Sequence, residues 1–247
     1  MELGLKSKQI LVIGGSGGIG SALVKSFIAE GAKVQIISRN RPENLSPEVV
    51  WYGCDITIKS EFEKTAGEIL KSVAGSLDVL VCNVGSGSGS NQPVPDEDEW
   101  ENLWNINFSG ALQSLRLFHN ALKTAKGSAI LVSSIAGVEK IGAPTAYSVA
   151  KSALITLSKE LSHKWAPEIR INAIAPGNVL AEGGVWDRKT KENPEAINKL
   201  IETGVPLRRF GKPQEIADLV LFLSSERATF ITGACFVIDG GQTTAFH

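Results

Sequence analysis

Charge of either sign is nearly cancelled in this chain: 26 Asp and Glu stand against 25 Lys and Arg, a formal net charge of −1 over 247 residues. Such a balance leaves no electrostatic footprint for nucleic acid or for an anionic membrane surface. Cysteine is scarce too. Cys54, Cys82 and Cys235 are far apart, with no C-x-x-C pair and no Cys/His cluster. Neither a disulfide framework nor a metal site is expected, only buried thiols in a reducing compartment. No run of about 18 apolar residues occurs, and the segment Met1 to Lys8 lacks the apolar stretch of a signal peptide. A cytoplasmic protein with no membrane partner is the expectation. The three histidines, His119, His163 and His247, have no evident triad partner.

Apolar residues are plentiful. They make up 43% of the chain, enough for the core of one large domain over 1–247. Short β-rich runs near 9–13, 33–38, 49–54, 77–82, 128–134, 168–174 and 234–238 alternate with amphipathic stretches near 18–30, 59–74, 97–124, 145–166 and 213–224. That alternation predicts an α/β fold whose parallel sheet is covered by helices on both faces. Two segments interrupt it. Gly85 to Pro95 is rich in Gly and Ser and reads as a loop bordering a cleft, ahead of the acidic helix start Asp96-Glu97-Asp98-Glu99. The stretch 178–204, mostly polar around Val185 and Trp186, reads as a long mobile loop.

Gln9-Ile10-Leu11-Val12-Ile13 leads into Gly14-Gly15-Ser16-Gly17-Gly18-Ile19-Gly20, five glycines in seven positions, and then into a helical pattern. Strand, glycine loop and helix in that order form the context of a dinucleotide site. Backbone free of side chains can approach a pyrophosphate, and the helix start offers free N–H groups and a favourable dipole. Gly14, Ser16, Gly17, Gly18, Ile19 and Gly20 are therefore candidate cofactor contacts.

Tyr147 and Lys151 lie four residues apart on a helical pattern and so share a face. A free phenol titrates near ~10. An ammonium beside it favours the phenolate and lowers that value, which suits a site moving one proton near neutral pH.

Gly14, Gly18 and Gly20 have the spacing G-x-x-x-G-x-G, and with Tyr147 and Lys151 downstream the chain resembles the short-chain dehydrogenase/reductase family, in its compact branch. Asp55, Asn83-Val84-Gly85, Asn107, Ser133-Ser134, Pro176-Gly177 and Asp239-Gly240-Gly241 follow in the family's order. The resemblance implies a doubly wound, Rossmann-type sheet of seven strands with the site at their carboxyl ends. It implies Asn107, Ser134, Tyr147 and Lys151 as catalytic residues, Asn107 through a water held in a proton relay to the lysine. Asp55 and Ile56 are implied beside the adenine, Asn83 and Gly85 along the adenosine ribose, and Tyr147, Lys151, Pro176, Gly177 and Val179 toward the nicotinamide. The stretch 178–204 becomes a substrate lid, and a homotetramer or homodimer follows by analogy. At one point the chain departs from the pattern: Ala181 stands where the family often has a threonine that holds the carboxamide.

The end of the second strand selects the cofactor. An acid there binds ribose hydroxyls, whereas an arginine accommodates a 2′-phosphate. Ser38-Arg39-Asn40-Arg41 has no carboxylate, and the Arg39 fork suits phosphate, with Ser38 as a hydroxyl donor. NADP(H) is expected ahead of NAD(H). The expected reaction is hydride transfer between nicotinamide and a small carbonyl or alcohol substrate, a 3-oxoacyl thioester or other ketone. Alternatives are a sugar or polyol substrate, or a catalytically silent NADP(H) sensor. An extended-branch epimerase is disfavoured, since only about 70 residues follow Pro176.

Overall fold

A computed structural model describes residues 2–90 and 92–245; Asn91 and His247 thus lie outside the described residues. Strands β1 (Gln9–Ile13), β2 (Lys33–Ser38), β3 (Val50–Gly53), β4 (Val79–Cys82), β5 (Ser128–Val132), β6 (Arg170–Pro176) and β7 (Cys235–Ile238) form one sheet in the order β3-β2-β1-β4-β5-β6-β7. Every neighbouring pair is parallel.

Burial on both faces is why these strands read as unbroken apolar runs. Ile10, Leu11, Val12 and Ile13 are each at most 1% exposed. Pleating still sends alternate side chains to opposite faces. Leu11, Ile13, Leu80 and Leu131 pack with Phe62, Ile69, Phe118 and Leu154. Ile10, Val12, Val79 and Val81 pack with Leu23, Phe27, Ile216 and Val220. One face is thus covered by α2 (Lys59–Ser72), α4 (Gly110–Ala125) and α5 (Thr145–Trp165), the other by α1 (Gly18–Ala29) and α8 (Pro213–Ser224). The expected doubly wound, helix-covered parallel sheet is the one found.

From β1 the chain builds outward to β2 and β3, then returns to place β4 on the other side of β1. Connections diverge at that point, so a crevice opens beyond the carboxyl ends of β1 and β4. Asn83 spans it: its N–H donates to Ile13 O at 2.9 Å and its Nδ2 to Gly14 O at 2.9 Å.

Two stretches differ from the sequence reading. The single helix expected over 97–124 is α3 (Glu97–Trp104) and α4, joined by a π turn at Asn105–Ser109. The wider turn leaves a helical carbonyl to be satisfied otherwise, and Asn107 Nδ2 donates to Leu103 O at 2.9 Å. Segment 178–204 is also not a plain loop, since it contains α6 (Val185–Glu192) and α7 (Pro194–Gly204). Asn193 caps α7 by accepting from Ala196 N at 3.0 Å, with Pro194 in the first turn. Trp186, Ile197, Ile201, Val205 and Phe210 form a small core of their own.

Among the described residues no helix is long and apolar enough to cross a membrane, and no group of three or more His, Cys, Asp or Glu could hold a metal ion.

Candidate active site

A cleft of about 1250 Å³ runs along the carboxyl edge of the sheet. Its floor begins at the glycine loop. Gly14 has φ of 84° and Gly18 of 52°, the left-handed region that glycine enters without penalty. A methyl group at Gly17 would meet nothing within 4 Å, so the loop's outer face is open. Helix α1 starts there with no side-chain cap and no acid in its first turn. Its first N–H groups are left for an anion. Gly14, Ser16, Gly17 and Ile19 line the cleft. Gly18 and Gly20 do not; Gly20 instead lies against the Gly14 carbonyl, into which a methyl group would run.

At one end, Ser38, Arg39, Asp55 and Ile56 line the wall. Arg39 is exposed. Ser38 is committed: its hydroxyl donates to Asn40 O at 2.8 Å and accepts from Trp51 Nε1 at 3.0 Å. Arg41 sits 5.9 Å from the Trp51 ring centre. Asp55 Oδ1 accepts from Thr57 N at 3.0 Å and Thr57 Oγ1 at 2.7 Å. The Thr57 backbone bond, above all, holds the Asp55 carboxyl below the usual carboxylate range, with Arg39 a lesser contributor. Asp55 thus remains an anion with its second oxygen available.

Deeper in the cleft, β5 and α5 bring Ser134, Tyr147 and Lys151 together. Lys151 is 3% exposed. Its Nζ donates to Val132 O at 2.9 Å and lies 5.7 Å from the Tyr147 ring centre. Ser133 Oγ donates to Lys151 O at 2.7 Å, pinning the helix to the strand end. Burial pulls the Lys151 ammonium down to about 8. The neighbouring thiol of Cys82 is pushed up to about 12 by burial and stays protonated.

Tyr147 corrects the sequence reading. Burial pushes its phenol up, and a hydrogen bond with Ser134 offsets only part of that. The lysine contact through the ring face does not reverse the shift. In this state the phenol is a neutral donor at pH 7. Ser134 Oγ also accepts from Ala136 N at 3.1 Å, which fixes the hydroxyl at the strand end.

Asn107, 0% exposed, does not line the cleft. Its Oδ1 accepts from Ser86 N at 3.0 Å and its Nδ2 donates to Ser86 O at 3.0 Å. With Leu103 O also bound, the carboxamide clamps the loop that follows β4. Gly85 is squeezed into the same junction: a methyl group there would sit 2.8 Å from Asn107 Oδ1 and 2.8 Å from Lys151 Nζ.

The opposite wall carries Pro176, Gly177 and Val179 after β6. Leu180 N donates to Gly211 O at 2.8 Å and Gly211 N to Asn178 O at 2.9 Å, which secures this segment. Ala181 faces the glycine loop; its Cβ is 3.6 Å from the position a Gly18 methyl group would take. Val185, Trp186 and Lys189 of α6 complete the rim. His119 is remote, its ring 5.0 Å from Trp165. Sequence reasoning missed Ser86, Glu139 and Gln242. Backbone pairing of Ser86 leaves no mark in a residue pattern, and Glu139 and Gln242 belong to the site through contacts between distant segments.

A doubly wound parallel sheet with an open glycine turn, and a Ser, Tyr and Lys converging at its carboxyl edge, defines a dinucleotide-dependent oxidoreductase. A family model described as enoyl-(acyl carrier protein) reductase matches residues 14–243. The chain is 35% identical to a tropinone reductase homologue of Arabidopsis thaliana, over 97% of this chain and 92% of the relative. It is 30% identical to a 3-oxoacyl-[acyl-carrier-protein] reductase of Thermotoga maritima, over 96% and 98%. The solved L-sorbose reductase of Gluconobacter frateurii, complexed with NADPH and L-sorbose, superposes with a TM-score of 0.90 at 27% identity, covering 100% of both chains. The chain belongs to the short-chain dehydrogenase/reductase family, whose members bind a nicotinamide cofactor. The open loop face and uncapped α1 fit such a group's pyrophosphate.

Proposed function

We propose that this protein is an NADP(H)-dependent oxidoreductase interconverting a small carbonyl compound and its alcohol, with Tyr147 as acid in reduction and base in oxidation. One observation carries the reading: Ser134, Tyr147 and Lys151 share a cleft with the glycine loop and Arg39. The bound nicotinamide supplies or accepts the hydride at the carbonyl carbon. The protein's own groups do the rest. A phenol kept neutral by burial gives its proton to the carbonyl oxygen, and Ser134 donates to that oxygen as charge develops. Lys151, cationic below about pH 8, stabilises the phenolate left behind. Asn107 holds Ser86, and through it Gly85, against Lys151; the relay water would use the second lone pair of its Oδ1 or its backbone.

Along the cofactor, the glycine loop and α1 take the pyrophosphate, Asp55 and Ile56 the adenine, and Asn83 and Gly85 the ribose. Arg39 takes the 2′-phosphate, with Ser38 joining only by releasing Asn40 O. Gly177 and the backbone around Val179 meet the carboxamide, since Ala181 has no hydroxyl to offer. Helices α6 and α7 act as the substrate lid, in a single domain that assembles as a homotetramer or homodimer.

A sugar or polyol substrate is the second reading. It is favoured by polar side chains at the substrate end, Asn102, Lys140, Lys189 and Gln242, and by the likeness to L-sorbose reductase. The test is NADPH oxidation by the purified protein against acyl thioesters, simple ketones and keto-sugars. Turnover of one class is expected; NADPH binding without turnover of any carbonyl would leave only a sensor.

A further inference from the structure

Glu139 follows Ser134 by five residues and lies 105 residues from Thr244, yet among the described residues its carboxylate accepts three hydrogen bonds from Thr244 and Ala245 of the C-terminal segment. Thr244 N donates to Oε2 at 2.7 Å, Thr244 Oγ1 to Oε1 at 2.8 Å and Ala245 N to Oε2 at 3.0 Å. The start of that segment is fixed as well. Asp239 accepts from Gly241 N at 2.8 Å, Thr243 N at 2.7 Å and Thr243 Oγ1 at 2.8 Å. A strap tied at both ends therefore crosses the cleft rim.

Between the two ties stands Gln242. It lines the cleft, as Glu139 does. Its side chain lies so close to Gly177 that a methyl group there would run into Nε2. Nε2 donates to Asp239 O at 2.6 Å. One amide proton and Oε1 are then left without a partner among the described residues. A donor and an acceptor on one group fit a hydroxyl, which both gives and takes a hydrogen bond.

We infer that Glu139 is a positioning residue for substrate: its carboxylate latches the strap and so holds Gln242 where it binds a hydroxyl of a hydroxylated carbonyl substrate. The inference rests on the oxidoreductase reading of the cleft and names the substrate chemistry within it. The carboxylate's three acceptor bonds explain why an acid stands here. Glutamine can keep them, taking both N–H groups on its oxygen and donating to Thr244 Oγ1, whereas alanine keeps none.

The experiment compares Glu139→Ala, Glu139→Gln, Thr244→Val and Gln242→Leu. Glu139→Ala and Gln242→Leu are expected to raise KM for a hydroxyketone by about tenfold or more. Their kcat and NADPH affinity stay within about twofold, and Glu139→Gln stays near wild type. Amide hydrogen exchange at Thr244 and Ala245 is slow in wild type, rapid in Glu139→Ala and intermediate in Thr244→Val. Exchange reads the latch without turnover, so a wild type that reduces no ketone would sink the proposed function and leave the latch to be judged separately. Rapid exchange in wild type overturns the latch. Released amides with an unchanged KM overturn its role in binding substrate.

Discussion

Lys151 Nζ rests 2.9 Å from the carbonyl oxygen of Val132, so the side chain that faces Tyr147 is anchored to the last residue of β5. The anchor holds the ammonium in a buried place, and burial lowers its pKa from 10.5 to about 8. Reductive kcat/KM is therefore expected to hold below pH 8 and to fall as pH rises through that value. The stability effect runs the other way. Between about pH 8 and 10.5 the unfolded chain binds the proton and the folded chain does not, so this group's contribution to stability rises with pH across that window. Thermal melts of wild type and Lys151→Met over pH 7–11 check this: the rise should be present in the first and missing from the second.

Arg39 is exposed at the mouth of the cleft, with Asp55 its electrostatic neighbour. A guanidinium meeting a 2′-phosphate makes charge-assisted bonds, so Arg39→Ala is expected to weaken NADPH binding by about 10–100-fold and NADH binding by less than about threefold. Fluorescence titration of both cofactors measures the difference. Equal losses would move the phosphate contact elsewhere.

Asn107 is wholly buried and uses both amide protons and its oxygen on backbone groups. Asn107→Ala would strand Ser86 N, Ser86 O and Leu103 O. The expected cost is about 1–3 kcal/mol of stability, seen in denaturant unfolding, along with a drop in kcat as Gly85 loses its seat against Lys151. An unchanged kcat in the folded variant would make Asn107 purely structural.

What could be read beforehand follows from what each signal depends on. The strands were legible because two-sided burial makes a run such as Ile10 to Ile13 unbroken and apolar. The glycine loop and the Tyr147–Lys151 pair were legible because backbone shape and helical spacing are local. The π turn was not, because the need that Asn107 answers arises only when α3 and α4 are folded around the loop after β4. Helices α6 and α7 were hidden because their apolar residues, Trp186, Ile197 and Ile201, are thinly spread over two short helices broken at Pro194. The direction of the Tyr147 shift is not legible because spacing places a lysine on the same face but says nothing of the desolvation that raises the phenol.

Tyr147→Phe removes one oxygen from the cleft and leaves the ring, its packing and the glycine loop in place. The decisive measurement is single-turnover oxidation of bound NADPH by a carbonyl substrate, in wild type and in this variant, with cofactor affinity measured alongside. Cofactor binding within about twofold of wild type and a chemical step slowed by about 10²–10⁴-fold are expected. A variant that still reduces substrate at the wild-type rate would mean that the proton comes from another group.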